Sequence, residues 1–136
     1  MKVKLDPYAY PPTRAHQTDA GLDIRAANGA VIRPGESSTF HTGVHVELPQ
    51  GTCGLLVSKS GLNTKHGITS TGLIDEGYNG EIVIKLYNQS DTAYEVKPGD
   101  KISQLVIIPC LYTPVEIVDD ISGGERGMNG FGSSGK

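Results

Sequence analysis

In GLIDEGYNGE, residues 72–81, two adjacent acids, Asp75 and Glu76, stand at the mouth of a hairpin, and Tyr78 follows between Gly77 and Gly80. A carboxylate held in a turn can take a proton from water. A neighbouring aromatic ring can cover one face of a bound ring. An acidic turn that keeps a loop in solvent has the same composition, and these ten residues leave both readings open. Two other stretches carry groups suited to chemistry. VSKSGLNTKHG, residues 57–67, places Ser58, Lys59 and Ser60 before Gly61. A cation and hydroxyls beside a tight turn suit a phosphate, and equally an ordinary polar loop. DAGLDIRA, residues 19–26, sets Asp23 between apolar residues at a strand start. Such an acid is a turn former or, beside a metal nucleotide, a holder of hydrated Mg²⁺ through water.

The last fifteen residues, SGGERGMNGFGSSGK, hold six glycines, three serines and almost nothing to pack. That composition predicts a flexible Gly-rich arm over 122–136 after a core over 1–121. GFGSSGK matches the first seven positions of a phosphate-binding P-loop. It lacks the Ser or Thr that must follow, the preceding strand and the succeeding helix, so the nucleotide-loop reading fails. Backbone N–H groups with Arg126 nearby can still wrap a phosphate chain. Phe131, with no core to join, either stacks on a planar ligand or is an exposed aromatic. His41 and His45 have metal-ligand spacing on one strand face, but no third ligand is near in sequence, so they read as ordinary exposed polar residues.

The elements that must position these groups are strands. In TFHTGVHVEL, residues 39–48, Phe40, Val44, Val46 and Leu48 share one parity while His41, His45 and Glu47 take the other. That alternation is a half-buried strand. Residues 51–58, 81–88 and 101–109 also read as strands. Between strands lie Arg33-Pro34-Gly35, Pro49-Gln50-Gly51 and Lys97-Pro98-Gly99-Asp100, all turn signals. No window sustains a helical period, although one turn near Gly61–Lys65 fits. With 18 glycines, 8 prolines and no tryptophan in 136 residues, the chain predicts one all-β domain, a jelly-roll-like distorted barrel of short strands.

Net charge is −3, from 12 basic and 15 acidic residues, which gives no general drive toward nucleic acid or anionic membrane. No stretch approaches a transmembrane span, and the N-terminus has no signal-peptide core. Cys53 and Cys110 each sit in an apolar strand-like run and read as reduced, packed thiols of a cytoplasmic protein.

Taken in order, DAGLDIRA, SKSGL, GLIDEGYNGEIVIKLYN, GDKISQLVI and RGMNGFGSSG resemble the five motifs of the deoxyuridine triphosphatase (dUTPase) family, from about residue 16 to the C-terminus. The resemblance implies a homotrimer of jelly-roll-like subunits with active sites at subunit interfaces. It implies hydrolysis of dUTP to dUMP and pyrophosphate, with Mg²⁺ on the triphosphate. Asp75 would activate the water that attacks the α-phosphorus, and Tyr78 would pack on the deoxyribose and exclude a 2′-hydroxyl. The hairpin Ile68–Ile74, including Leu73 and Ile74, would read uracil with backbone groups, and Val83 would line the same site. Asp23 would contact water on Mg²⁺. Lys59, Ser60, Gly61 and Gln104 would bind phosphates, and Arg126, Gly132 and Ser133 would grip them from the arm while Phe131 stacks on uracil. Lys59 departs from the family's usual arginine and loses the planar fork of a bidentate grip. GITSTG is about one residue shorter than in familiar members, which leaves open which of Thr69, Ser70 and Thr71 meets the base.

Two rival readings share the fold. A dCTP deaminase would need a glutamate three residues before Asn88, where this chain has Lys85, and lysine cannot manage that proton traffic. A non-catalytic nucleotide-binding regulatory protein would keep the fold and lose turnover.

Overall fold

A computed structural model describes residues 1–124 and Gly127. Along the chain run β1 (Lys2–Leu5), β2 (Gly21–Arg25), β3 (Ala30–Ile32), β4 (Ser37–Glu47) and β5 (Thr52–Val57), then helix α1 (Ser60–His66). They are followed by β6 (Ile68–Thr69), β7 (Thr71–Ile74), β8 (Glu81–Asn88), β9 (Tyr94–Val96) and β10 (Lys101–Pro109). One sheet has the order β1-β4-β8-β6, a second β2-β10-β5-β7, and β3 pairs with β9. These pairings are antiparallel, and the all-β, jelly-roll-like expectation holds. Among the described residues no helix is long and apolar enough to cross a membrane.

Side-chain alternation builds the core. Along β8, Ile82, Ile84 and Leu86 are buried while Val83, Lys85 and Tyr87 face out. Phe40, Val44 and Val46 of β4 meet them from the neighbouring strand, and Leu56, Ile102 and Leu105 come from the other sheet. Between His41 and His45 the β4–β8 register slips by two residues: His41 faces Val83, yet His45 faces Glu81. An excursion of two keeps the period-two phase, so Val46 still points inward. Gly43 turns it at φ +65°, where a Cβ would lie 2.8 Å from the Tyr8 ring. Thr42, buried in the excursion, donates to the Ile82 carbonyl at 2.6 Å.

The single turn expected near residue 61 is a seven-residue helix, α1, closed by Gly67 in the left-handed region. Three strands went unread in sequence. β1 (KVKL) alternates charge with apolar groups at an exposed edge, and β3 and β9 span three residues each, too short for a period to register. The β6–β7 hairpin holds a run of small polar residues whose pairing depends on β5 and β8.

Asn88, 1% exposed, closes β8 and ties three segments together. Its Nδ2 donates to the Ile32 and Thr92 carbonyls, each at 2.8 Å, and its Oδ1 accepts from the Ser90 amide at 2.9 Å and hydroxyl at 2.8 Å. All four hydrogen-bonding positions of the amide are thereby filled. Replacing Asn88 with alanine strands those partners, so urea unfolding is expected to show a loss on the order of 3 kcal/mol. A loss below about 0.5 kcal/mol, the range of ordinary surface substitutions, would mean the network carries little.

Candidate active site

After Ile74 the chain leaves β7 in a turn. The Tyr78 amide donates to the Asp75 carbonyl at 3.2 Å, and Gly77 takes φ +83°. A Cβ on Gly80 would fall 2.3 Å from the Tyr78 hydroxyl, so glycine there admits the ring. That ring is fixed by its hydroxyl donating to the Glu81 carbonyl at 3.1 Å.

The two adjacent acids have different partners. Glu76 accepts from the Gly51 amide at 2.8 Å and the Tyr112 hydroxyl at 2.6 Å. The tyrosine hydrogen bond, helped by the Gly51 amide, holds the Glu76 carboxyl below its usual range. The same contact pushes the Tyr112 phenol up to about 12. Asp75 is exposed, and among the described residues its carboxylate takes no hydrogen bond. It lines a hollow of ≈ 280 Å³ with Leu73, Ile74, Tyr78, Val83 and Glu81. The sequence had placed all of these but Glu81 in the site. Alternation along β8 could have found Glu81, since it shares the outward face of Val83. Burial works to raise the Glu81 carboxyl, but His41 Nδ1 at 2.8 Å and the Gly43 amide at 2.7 Å outweigh it and hold it below its usual range. The two histidines thus serve separate acids, His45 lying 3.4 Å from Asp6, and His45 is partly buried rather than exposed.

A second cluster surrounds Asp23. This acid is 3% exposed on β2, with Lys59 on one oxygen and Lys101 on the other at 2.7 Å. Gln104 Nε2 approaches at 3.4 Å from β10, where it pairs with Asp23 in register. Burial alone would raise the carboxyl, but hydrogen bonds from Lys101 and Lys59 hold it below its ordinary value. Lys101 was not singled out in the sequence. It meets Asp23 only because β10 lies beside β2, a cross-strand fact no local pattern carries.

Lys59 is the N-cap of α1, and no side chain caps that helix start. The first amides of a helix have no intrahelical acceptor. Space over Gly61 is open, with nothing within 4 Å of a Cβ built there. Ser58 is bound inward: its hydroxyl donates to the Ser70 carbonyl at 3.0 Å and accepts from the Ser70 amide at 2.8 Å. Both backbone groups of Ser70 are therefore occupied, which leaves Thr69 and Thr71 as the hairpin positions able to meet a base.

The two clusters do not meet within one chain. β5 and β7 pair with Gly54 opposite Ile74 and Val57 opposite Thr71. Asp75 follows one end of that ladder and Lys59 the other. At 3.4 Å per residue, the six residues from the position opposite Asp75 to Lys59 span about 20 Å. Arg126, Phe131, Gly132 and Ser133, expected in the arm, lie outside the described residues. Lys85, at the position a deaminase would fill with glutamate, faces out, its Nζ 5.3 Å from the centre of the Tyr87 ring.

Comparison with known proteins finds the dUTPase family model matching residues 8–135. A deoxyuridine 5′-triphosphate nucleotidohydrolase of Trichodesmium erythraeum is 45% identical, over 99% of this chain and 98% of that protein. The structure of the Staphylococcus bacteriophage 80alpha dUTPase with dUPNHPP superposes with TM-score 0.91 at 35% identity, covering 99% of this chain and 98% of the other. A point mutant of the dUTPase from phage phi11 of S. aureus, described with a structural Mg(II) ion, gives 0.82 at 31% identity over 90% of this chain and 98% of that one.

The Asp23 pairing has a pH signature. A carboxyl whose folded pKa is depressed adds stability above its unfolded value, here 3.8, and loses it as pH falls through the folded value. Asp23→Asn is expected to cost on the order of 2 kcal/mol at pH 7, between the values for exposed and buried pairs. That difference should shrink as the pH is brought below 3.8. Urea midpoints of both proteins across pH check this, and a difference constant with pH would contradict it.

Proposed function

This chain belongs to the dUTPase family and hydrolyses dUTP to dUMP, and from that premise we propose how its residues share the reaction. Asp75 is the general base that takes a proton from the water attacking the α-phosphorus, so that pyrophosphate departs. The observation that carries this is the meeting of Asp75, Leu73, Ile74, Tyr78 and Val83 around one hollow of ≈ 280 Å³. That is close to the lower end of the roughly 300–1,000 Å³ typical of ligand sites. Glu76 is committed to Gly51 and Tyr112, so of the two acids Asp75 is the one left for water.

Tyr78 packs on the deoxyribose, held in place by its bond to the Glu81 carbonyl. Uracil is read by β7, the last strand of its sheet. An edge strand has unpaired backbone donors and acceptors on its open side, and cytosine would leave such groups unmatched at about 1–3 kcal/mol. Lys59, Ser60, Gly61 and Gln104 bind the phosphates. As Lys59 turns from Asp23 to a phosphate, Lys101 stays on the carboxylate, so the buried charge is not stranded.

Mg²⁺ carried on the triphosphate would neutralise phosphate charge. The donor set fits an ion held through water: Asp23 is a single carboxylate with lone pairs to spare, and no cluster of three His, Cys, Asp or Glu able to cage a metal occurs among the described residues. The arm over 122–136 closes on the core over 1–121, with Arg126, Gly132 and Ser133 on phosphate and Phe131 on uracil, excluding water.

The working unit is a homotrimer with sites at subunit interfaces. A triphosphate is far shorter than the gap of about 20 Å between Asp75 and Lys59 in one chain, so the halves of each site come from different copies. Exposed Val83 and Tyr87 on β8, and Leu111, Val115 and Ile117 beyond β10, support a covering neighbour. Asp75→Asn is expected to lower dUTP turnover roughly 10²–10⁴-fold while dUTP still binds, followed by pyrophosphate release and by calorimetric titration. Near-parent turnover would remove Asp75 from the role of base.

A further inference from the structure

Beside the first hollow, and sharing Leu73 and Asp75 with it, lies a second, larger one of ≈ 730 Å³, and both cysteines of the chain line it. Cys53 is on β5, 7% exposed, and Cys110 follows β10, half-buried. The register pairs Cys53 with Ile108, and the Cys110 amide donates to the Gly51 carbonyl at 2.9 Å. The two thiols therefore sit on one face of adjacent strands as diagonal neighbours. The neighbouring Cys110, and then burial, raise the Cys53 thiol above its ordinary pKa.

Diagonal cross-strand neighbours have Cα atoms about 7–8 Å apart. A disulfide wants Cα atoms within about 6.8 Å and Cβ atoms about 3.5–4.5 Å apart. Direct S–S closure would strain the strands, whereas one interposed atom spans the gap. Zinc suits it poorly, since a structural zinc takes four ligands and no third His, Cys, Asp or Glu joins the thiols among the described residues. A centre with three bonds, one of them to its own substituent, needs only the two sulfurs.

We propose that Cys53 and Cys110 form a dithiol site for a trivalent arsenical, and that its occupancy blocks hydrolysis by entering the hollow that the two thiols share with Asp75. With an arsine oxide, two S–H bonds and the arsenic–oxygen bond break, two As–S bonds form and one water leaves. Arsenic and sulfur keep their oxidation states, so no oxidant is required, and no thiolate nucleophile is needed at the outset. The inhibitory effect rests on Asp75 acting as the base, because Asp75 and Leu73 line the cysteine hollow as well as the first one.

The test treats the purified full chain with stoichiometric phenylarsine oxide and reads intact mass and dUTP turnover together. One adduct per chain and loss of most turnover are expected, both reversed by 2,3-dimercaptopropanol and not by an equal amount of a monothiol. Cys110→Ser, at the more open position, should keep its turnover and take up no adduct, and Cys53→Ser should behave alike. No adduct on the parent, or equal uptake by Cys110→Ser, would overturn the site. Full turnover of a fully adducted protein would overturn the inhibition. Adduct mass is independent of the role of Asp75, which its own substitution tests.

Discussion

The antiparallel pairing of β5 with β7 governs how this chain works. It sets Gly54 against Ile74 and Val57 against Thr71, and so fixes the carboxylate of Asp75 at one end of a ladder and the ammonium of Lys59 at the other. Strands are stiff, and a register slip of one residue would turn every side chain of β7 to the opposite face. The separation of about 20 Å is therefore a property of the fold rather than of a loop that closes. On the roles proposed for Asp75 and Lys59, each end of the ladder supplies part of a site, and a second copy of the chain joins them.

Each end of the ladder is organised by a carboxylate with committed partners. Asp23 lies between Lys59 and Lys101, and its buried negative charge orients both lysines near the open start of α1. At the other end Glu76 clamps the Gly51 amide and the Tyr112 hydroxyl, which steadies the turn and leaves the adjacent Asp75 unencumbered. His41 and the Gly43 amide do the same for Glu81, whose carbonyl fixes the Tyr78 ring. Asp23, Glu76 and Glu81 are thus each committed to partners, while the Asp75 carboxylate takes no hydrogen bond among the described residues.

Much of this was legible in the residues. The β4 and β8 strands follow from period-two alternation, β5 and β10 from apolar runs, and the turn glycines at 35, 51 and 99 all take positive φ. The order of the five motifs carried the family, and the family model and relatives bear it out. What stayed hidden was set by pairing across the sequence. Lys101 reaches Asp23 through the β10–β2 register, and Ser58 occupies the Ser70 backbone at the end of the β5–β7 ladder. The mutual distance of Asp75 and Lys59 belongs to the same class. Motif order assigns two groups to one reaction only through the family resemblance and says nothing of whether one chain brings them together.

The most direct measurement of that central claim mixes two defective proteins. Asp75→Asn and Lys59→Ala, each deficient alone, are unfolded together and refolded as mixed assemblies, and dUTP turnover is read against each variant refolded by itself. If every site draws its carboxylate from one copy and its phosphate cation from another, random mixing restores both groups in roughly a quarter of the sites of a symmetric oligomer, with turnover in proportion. Turnover no higher than the average of the two separate variants would contradict it, placing Asp75 and Lys59 of the same chain at one substrate.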